Sequence, residues 1–199
     1  MNKNCLLCGV GGQGTVLASR LIAQAAMECG HFARTTETIG MAQRGGCVVS
    51  HVRIGEECQS PLIPLGKADI LVGFEPGEAV RCLPYLAPGA PAVVCVTPVQ
   101  PVMGSLAGEV YDVEALLRDL RRRVAALTTI DARQVAEICG TKRALNVALL
   151  GAVARQGALP IALEDVERAL RAKLSGAVLE MNLKALEFGA NAKEDPQCK

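Results

Sequence analysis

Tryptophan is absent from this chain of 199 residues, and aromatic residues make up only 3% of it. The hydrophobic half is therefore carried by Ala, Val, Leu and Ile, which pack helices closely on a sheet. Net charge is also lacking: the balance is +1, which argues against a nucleic-acid or acidic-lipid surface. No stretch reaches the ~18 uncharged apolar residues of a membrane span, and the first residues lack a signal-peptide layout. The expected setting is the cytoplasm. Histidine is limited to His31 and His51. No H-E-x-x-H, G-x-S-x-G, Walker lysine or paired metal-ligand cluster occurs, so no catalytic residue and no metal ligand is nominated.

Nine cysteines are present, but their spacing is not that of a disulfide or cluster framework. Cys29, Cys47, Cys58, Cys82, Cys95, Cys139 and Cys198 stand singly, several within apolar runs, where cysteine behaves as a small hydrophobe. Only Cys5 and Cys8 form C-x-x-C, inside an expected strand. That spacing sends the two thiols to opposite faces, so reduced, structural cysteines are expected.

The segment Gly9-Val-Gly-Gly-Gln-Gly14 follows an apolar run and precedes a helix-like stretch. Gly9, Gly11 and Gly14 fit G-x-G-x-x-G, a strand-to-helix turn whose backbone N–H groups can cradle an anion at a helix N-terminus. A second segment, Thr35–Gly46, reads as a polar, turn-rich loop rather than a strand end. Glu37 stands at about the distance at which a dinucleotide site places its ribose-binding acid. Arg44 offers a planar fork for phosphate or carboxylate, and Gly45-Gly46 permits close approach. The two segments are expected to wall one cofactor-binding site, made of Gly9, Gly11, Gly12, Gln13 and Gly14 with Thr38, Gln43, Arg44, Gly45 and Gly46.

Strand-like and helix-like stretches alternate along the chain. Strands are expected at Asn4–Val10, Cys47–Ile54, Ala68–Phe74, Ala92–Thr97 and Ala125–Ile130. Helices are expected at Thr15–Cys29, Glu78–Leu86, from Asp112, at Ala132–Ile138, Arg143–Gln156, Leu163–Leu174 and Ser175–Phe188, the last ended by Gly189. This order predicts an α/β, Rossmann-like three-layer fold with a mainly parallel sheet and a helical C-terminal part. Residues 1–190 read as one domain and 191–199 as a disordered tail. Arg118 and Arg121–Arg123 lie largely off the apolar stripe of their helix, as a solvated face. His51 reads as structural. Asn146, alone among apolar neighbours, is either a satisfied buried amide or a contact to a partner.

Together, Gly9–Gly14, Glu37-Thr-x-Gly-Met-Ala-Gln-Arg-Gly-Gly46, Ser50-His-Val-Arg53, Asn146–Ala152 and Asn182–Gly189 resemble the gamma-type subunits of 2-oxoacid:ferredoxin oxidoreductases. Within that family the chain is most similar to the small beta subunit of the indolepyruvate enzymes. The resemblance covers nearly the whole chain. It implies a subunit, inactive alone, of an enzyme that oxidatively decarboxylates aryl 2-oxoacids to acyl-CoA. Thiamine diphosphate, Mg2+ and iron–sulfur clusters would belong to a large alpha subunit that delivers electrons to ferredoxin, with CoA as co-substrate. This chain has neither a G-D-G…N-N thiamine motif nor a C-x-x-C-x-x-C cluster run. Three alternatives remain open: a stand-alone NAD- or FAD-dependent oxidoreductase, the gamma subunit of a pyruvate or branched-chain 2-oxoacid enzyme, or a non-catalytic scaffold.

Overall fold

A computed structural model describes residues 2–40, 46–56, 60–99 and 111–198. Six strands among the described residues form one sheet: β1 (Lys3–Val10), β2 (Ala33–Ile39), β3 (Cys47–Ile54), β4 (Ile70–Gly73), β5 (Ala92–Cys95) and β6 (Leu127–Ile130). Their order is β2-β3-β1-β4-β5-β6. β1, β4, β5 and β6 pair in parallel, whereas β3 runs antiparallel to both β1 and β2. Five strands thus point one way and one the other, a mainly parallel α/β sheet.

Seven α-helices lie among the described residues: α1 (Thr15–Glu28), α2 (Pro76–Cys82), α3 (Val113–Arg123), α4 (Ala132–Cys139), α5 (Leu145–Gln156), α6 (Leu163–Lys173) and α7 (Gly176–Ala190). The sheet alternation sorts them into two layers. Cys5 and Leu7 of β1, with Val93 and Cys95 of β5, face α1, α4, α5, α6 and α7. Leu6, Cys8, Ala92 and Val94 face α2 and α3. Cys5 and Cys8 therefore do lie on opposite faces, as period-two geometry requires. The described cysteines are free thiols. Burial pushes the Cys5 thiol up; Cys8 is raised by its hydrogen bond to Cys82 and by burial.

Three sequence expectations need correction. Residues 35–39 are not loop: they belong to β2, which pairs with β3 from Ala33↔Ile54 to Ile39↔Val48. Thr35, Thr36 and Thr38 are β-branched and suit a half-exposed edge strand, where polar alternation imitates a loop. Gly189 does not end its helix, which runs to Ala190. A Cβ on Gly189 would lie 1.7 Å from the Ala148 carbonyl oxygen, and one on Gly151 2.0 Å from that of Leu186. The two glycines let α5 and α7 cross backbone to backbone. Residues 194–198, expected as disordered tail, lie against the β6 edge. The Asp195 N–H donates to the Leu127 carbonyl at 2.7 Å, Glu194 bridges Thr128, and the Asp195 carboxylate pairs with Arg121 at 2.8 Å. An open strand edge offers unpaired backbone groups, and the tail supplies partners. Arg118 and Arg123 pair with Asp112 and Asp119 on their own helix.

The Ser50–Arg53 stretch of β3 fastens the chain that follows it. Arg53 donates to Asn4 Oδ1 at 3.0 Å and to the carbonyls of Ser60 and Leu62 at 2.8 and 3.2 Å. His51 Nδ1 accepts the Ile63 N–H at 3.2 Å, and its ring meets Tyr85 edge-on. Burial lowers the His51 pKa below its ordinary value. The native state then binds fewer protons at that site than the unfolded chain between the two pKa values. The stability involved is full above the unfolded value near 6.5 and is lost as pH falls through the depressed folded value. Thermal midpoints at pH 5 and pH 7 are expected to lie further apart for the native chain than for His51→Gln.

Candidate functional site: a cationic cleft at the glycine turn

A cleft of about 410 Å³ opens where β1, β5 and β6 end. Carboxyl ends of strands in an open α/β sheet are the usual place for a ligand. Gly12, Gln13 and Gly14 form one wall, Cys95, Thr97 and Ala132 another, and Lys142, Arg143 and Asn146 close the third.

The glycine turn is built by contacts that leave no room for side chains. A Cβ on Gly9 would meet Phe74 Cβ at 2.7 Å and Gln13 Oε1 at 2.8 Å. Gly14 caps α1 in the left-handed region at φ 86°, and a Cβ there would lie 3.1 Å from Asn146 Nδ2. Gln13 is inward and structural: its Oε1 accepts the Val10 N–H at 2.7 Å and its Nε2 donates to the Phe74 carbonyl at 2.9 Å. Both ends of its carboxamide are thus spent on tying β1 to β4. No side chain caps α1 and no acid stands in its first turn. The N-terminal N–H groups of α1 are left facing the cleft with the positive end of the helix dipole.

Chemistry at the other walls is electrostatic. Among the described residues the cleft lining contains no carboxylate, while Lys142 and Arg143 contribute two exposed cations that form no ion pair. Asn146 is 4% exposed, and its Oδ1 accepts the Val147 N–H at 3.0 Å. That bond turns Nδ2 toward Gly14 and the cleft, where it has no acceptor among the described residues. Thr97 Oγ1 donates to Asp131 at 2.8 Å and accepts the Ala132 N–H at 3.0 Å, bracing the β5 wall. Arg133, by its hydrogen bonds, holds the Asp131 carboxyl down at about 2. Cys95 is pushed up by burial and remains a thiol at neutral pH. The site can hold an anion, and its described residues supply neither a nucleophile nor a general base.

The remaining predicted residues divide. Gly11 and Gly46 do meet: the Gly11 N–H donates to the Gly46 carbonyl at 2.9 Å. The second glycine segment therefore ends against the first. Thr38 and Glu37 lie on β2, two strands from β1, and do not line the cleft. A ribose-reading acid is thus not supplied by Glu37. Gln43, Arg44 and Gly45 lie outside the described residues. Lys142 and Arg143 were not nominated from sequence at all. The available signal was two adjacent cations with no acid within four residues on either side.

Residues 4–192 match the sequence profile described as pyruvate ferredoxin/flavodoxin oxidoreductase. The chain belongs to that family. It is 36% identical over 192 residues to the indolepyruvate oxidoreductase subunit IorB of Archaeoglobus fulgidus, covering 96% of this chain and 95% of that one. Pyruvate oxidoreductase subunit PORC of Thermotoga maritima shares the fold, with a TM-score of 0.73, 22% identity and 98% of both chains covered. The fold also recurs in a 2-oxoglutarate:ferredoxin oxidoreductase from Magnetococcus marinus solved with 2-oxoglutarate, coenzyme A and succinyl-CoA. There the TM-score is 0.70 at 20% identity, over 95% of this chain and 30% of the longer one. The chain is a small, gamma-type subunit of a 2-oxoacid:ferredoxin oxidoreductase. Among the described residues no group of three His, Cys, Asp or Glu could hold a metal, and no helix is long and apolar enough to cross a membrane.

Proposed function

We propose that this subunit serves an enzyme that oxidatively decarboxylates arylpyruvates of the indolepyruvate type to acyl-CoA, and that its cleft completes an active site carried mainly by a large partner subunit. The observation behind this reading is the cleft itself: helix N–H groups, Lys142, Arg143 and the Asn146 amide converge with no carboxylate among them. Such a wall binds phosphate, and CoA and thiamine diphosphate both carry phosphates. Thiamine diphosphate on the partner would supply carbanion stabilisation after decarboxylation, and partner clusters would pass the electrons to ferredoxin. The work of this chain is positional. Its N–H groups orient a phosphate, its two cations offset the charge, and the packed turn excludes water from that side.

Support for an aryl substrate comes from the kinship with an indolepyruvate oxidoreductase subunit across nearly the full chain. Among the described residues the cleft carries no acid where a dinucleotide site would use one, which disfavours a private nicotinamide site. A substrate panel tests the proposal. The complex with the large subunit is expected to reduce ferredoxin with indolepyruvate at a kcat/KM well above those for pyruvate and 2-ketoisovalerate. Preference for either aliphatic acid would overturn the aryl assignment.

A further inference from the structure

Gly73 decides how closely α2 seats on the sheet. A Cβ there would lie 2.6 Å from the Ala79 Cβ, so only glycine lets the helix come down this far. Within the sheet Gly73 stands directly beside Cys8 of β1, on the same face. Cys82 follows Ala79 by three residues and shares the buried side of α2. The close seat brings the Cys82 thiol into hydrogen-bonding contact with that of Cys8. Both are buried, Cys8 at 0% and Cys82 at 3% exposure.

The pair is chemically uneven. Its shared hydrogen bond holds the Cys82 thiol below the ordinary value, while the same bond and burial push Cys8 up. Cys82 thus carries the larger thiolate fraction, the form that attacks an oxidant. Cys47, the third thiol of this region, is pushed up to about 12 by burial and by the neighbouring Glu78. Among the described residues these thiols complete no metal-binding group. Cys82 is also the last residue of α2, where the chain passes into a 3-10 turn at Leu83–Tyr85. A helix end gives way more readily than its interior, and an S–S bond of about 2.05 Å asks for such a movement.

We propose that Cys8 and Cys82 are a reversible redox pair, closed to a disulfide by hydrogen peroxide and reopened by dithiols. The Cys82 thiolate attacks the peroxide O–O bond, takes one oxygen as a sulfenic acid and releases hydroxide. The Cys8 sulfur then attacks the Cys82 sulfur, and its proton leaves with the sulfenic oxygen as water. The proton that Cys82 lost on ionising turns the hydroxide into a second water. Two thiols give up two electrons, and one peroxide is reduced to two waters. The oxidant must be small, because Cys82 is nearly enclosed. Closure also acts on the glycine turn. The Cys8 carbonyl accepts the Phe74 N–H at 2.7 Å, and Gly9 follows it, packed against Phe74. Drawing Cys8 toward α2 shifts the start of that turn.

Peptide mapping of the full chain, after peroxide treatment, peroxide removal and alkylation, tests the pair. Peptides holding Cys8 and Cys82 should be recovered joined and short of two hydrogens, and should separate under dithiothreitol. Cys5 and Cys95, which face the opposite layer, should be alkylated as free thiols. Cys8→Ala should leave Cys82 as a sulfenic acid that dimedone traps, whereas Cys82→Ala should leave Cys8 reduced. The native chain decides the matter should either variant not fold. Cys8 and Cys82 both alkylated as free thiols after peroxide, or Cys82 joined to Cys47, would overturn the pair. The oxidised subunit, freed of peroxide and added to the large subunit, should support less ferredoxin reduction and recover fully under dithiothreitol. Unchanged turnover would overturn the effect on the turn. That second readout rests on the part this subunit plays in turnover; the linkage does not.

Discussion

Gly189→Ala should destabilise the subunit by about 3 kcal/mol, read as a lower urea midpoint at unchanged slope. The sign is the informative part. Alanine in place of glycine within a helix is ordinarily worth close to ~1 kcal/mol of added stability. Here the added methyl would sit 1.7 Å from a main-chain oxygen of the neighbouring helix, and main chain cannot rotate away as a side chain can. α5 and α7 must separate, and separation reopens the layer holding Leu149, Leu150, Ala185 and Leu186. The same argument applies to Gly151→Ala. Because α5 also carries Asn146 at its start, such variants should weaken ligand binding as well. A stabilised Gly189→Ala would mean that the crossing is looser than described.

The second large effect concerns Lys142 and Arg143. Replacing both with alanine should lower kcat/KM of the assembled enzyme for its phosphate-bearing co-substrate at least about 100-fold, since each charge-assisted hydrogen bond contributes roughly 1.5–3 kcal/mol. Stability should hardly change, because both side chains are exposed and neither is paired within the described chain. Steady-state titration of CoA at saturating 2-oxoacid separates the cases. A rise in KM for CoA marks contact with CoA. A fall in kcat with KM unchanged, relieved by excess thiamine diphosphate, marks contact with that cofactor instead. Native rates at all concentrations would remove the cations from the site.

Much of the architecture was legible in the chain. The buried parallel strands stood out as short apolar runs, and β3 began and ended at the residues its alternation indicated. Helix positions followed from apolar periodicity, with Asp112 capping α3 as its placement suggested. What escaped was set by tertiary context. β2 is an edge strand whose exposed threonines look like loop until β3 is beside it. Gly189 carries the residue type of a helix stop, and only the approach of Ala148 shows why a helix interior keeps it. The C-terminal segment is polar and reads as unstructured, yet an open β6 edge gives it backbone partners.

The candidate site was half readable. Gly9, Gly11, Gly12 and Gly14 take the places that a strand-turn-helix junction demands. Gln13 was nominated for a ligand but is consumed in joining β1 to β4. Thr38 was nominated from its neighbours and lies two strands away. Lys142, Arg143 and Asn146 reach the turn from some 130 positions further along, and no local motif announces that contact. Asn146 came nearest, as the one polar residue in an apolar helix. Its two halves explain the earlier ambiguity: the oxygen is satisfied within its own helix, and the nitrogen is left for the cleft.

The central claim is that this subunit supplies one wall of a site shared with a larger chain. Ferredoxin reduction by the large subunit, measured alone and after addition of this subunit, tests it most directly. Alone, the large subunit should show little or no turnover; the native small subunit should restore it, and Lys142→Ala/Arg143→Ala should assemble yet restore only a small fraction. Full turnover by the large subunit alone would contradict the account.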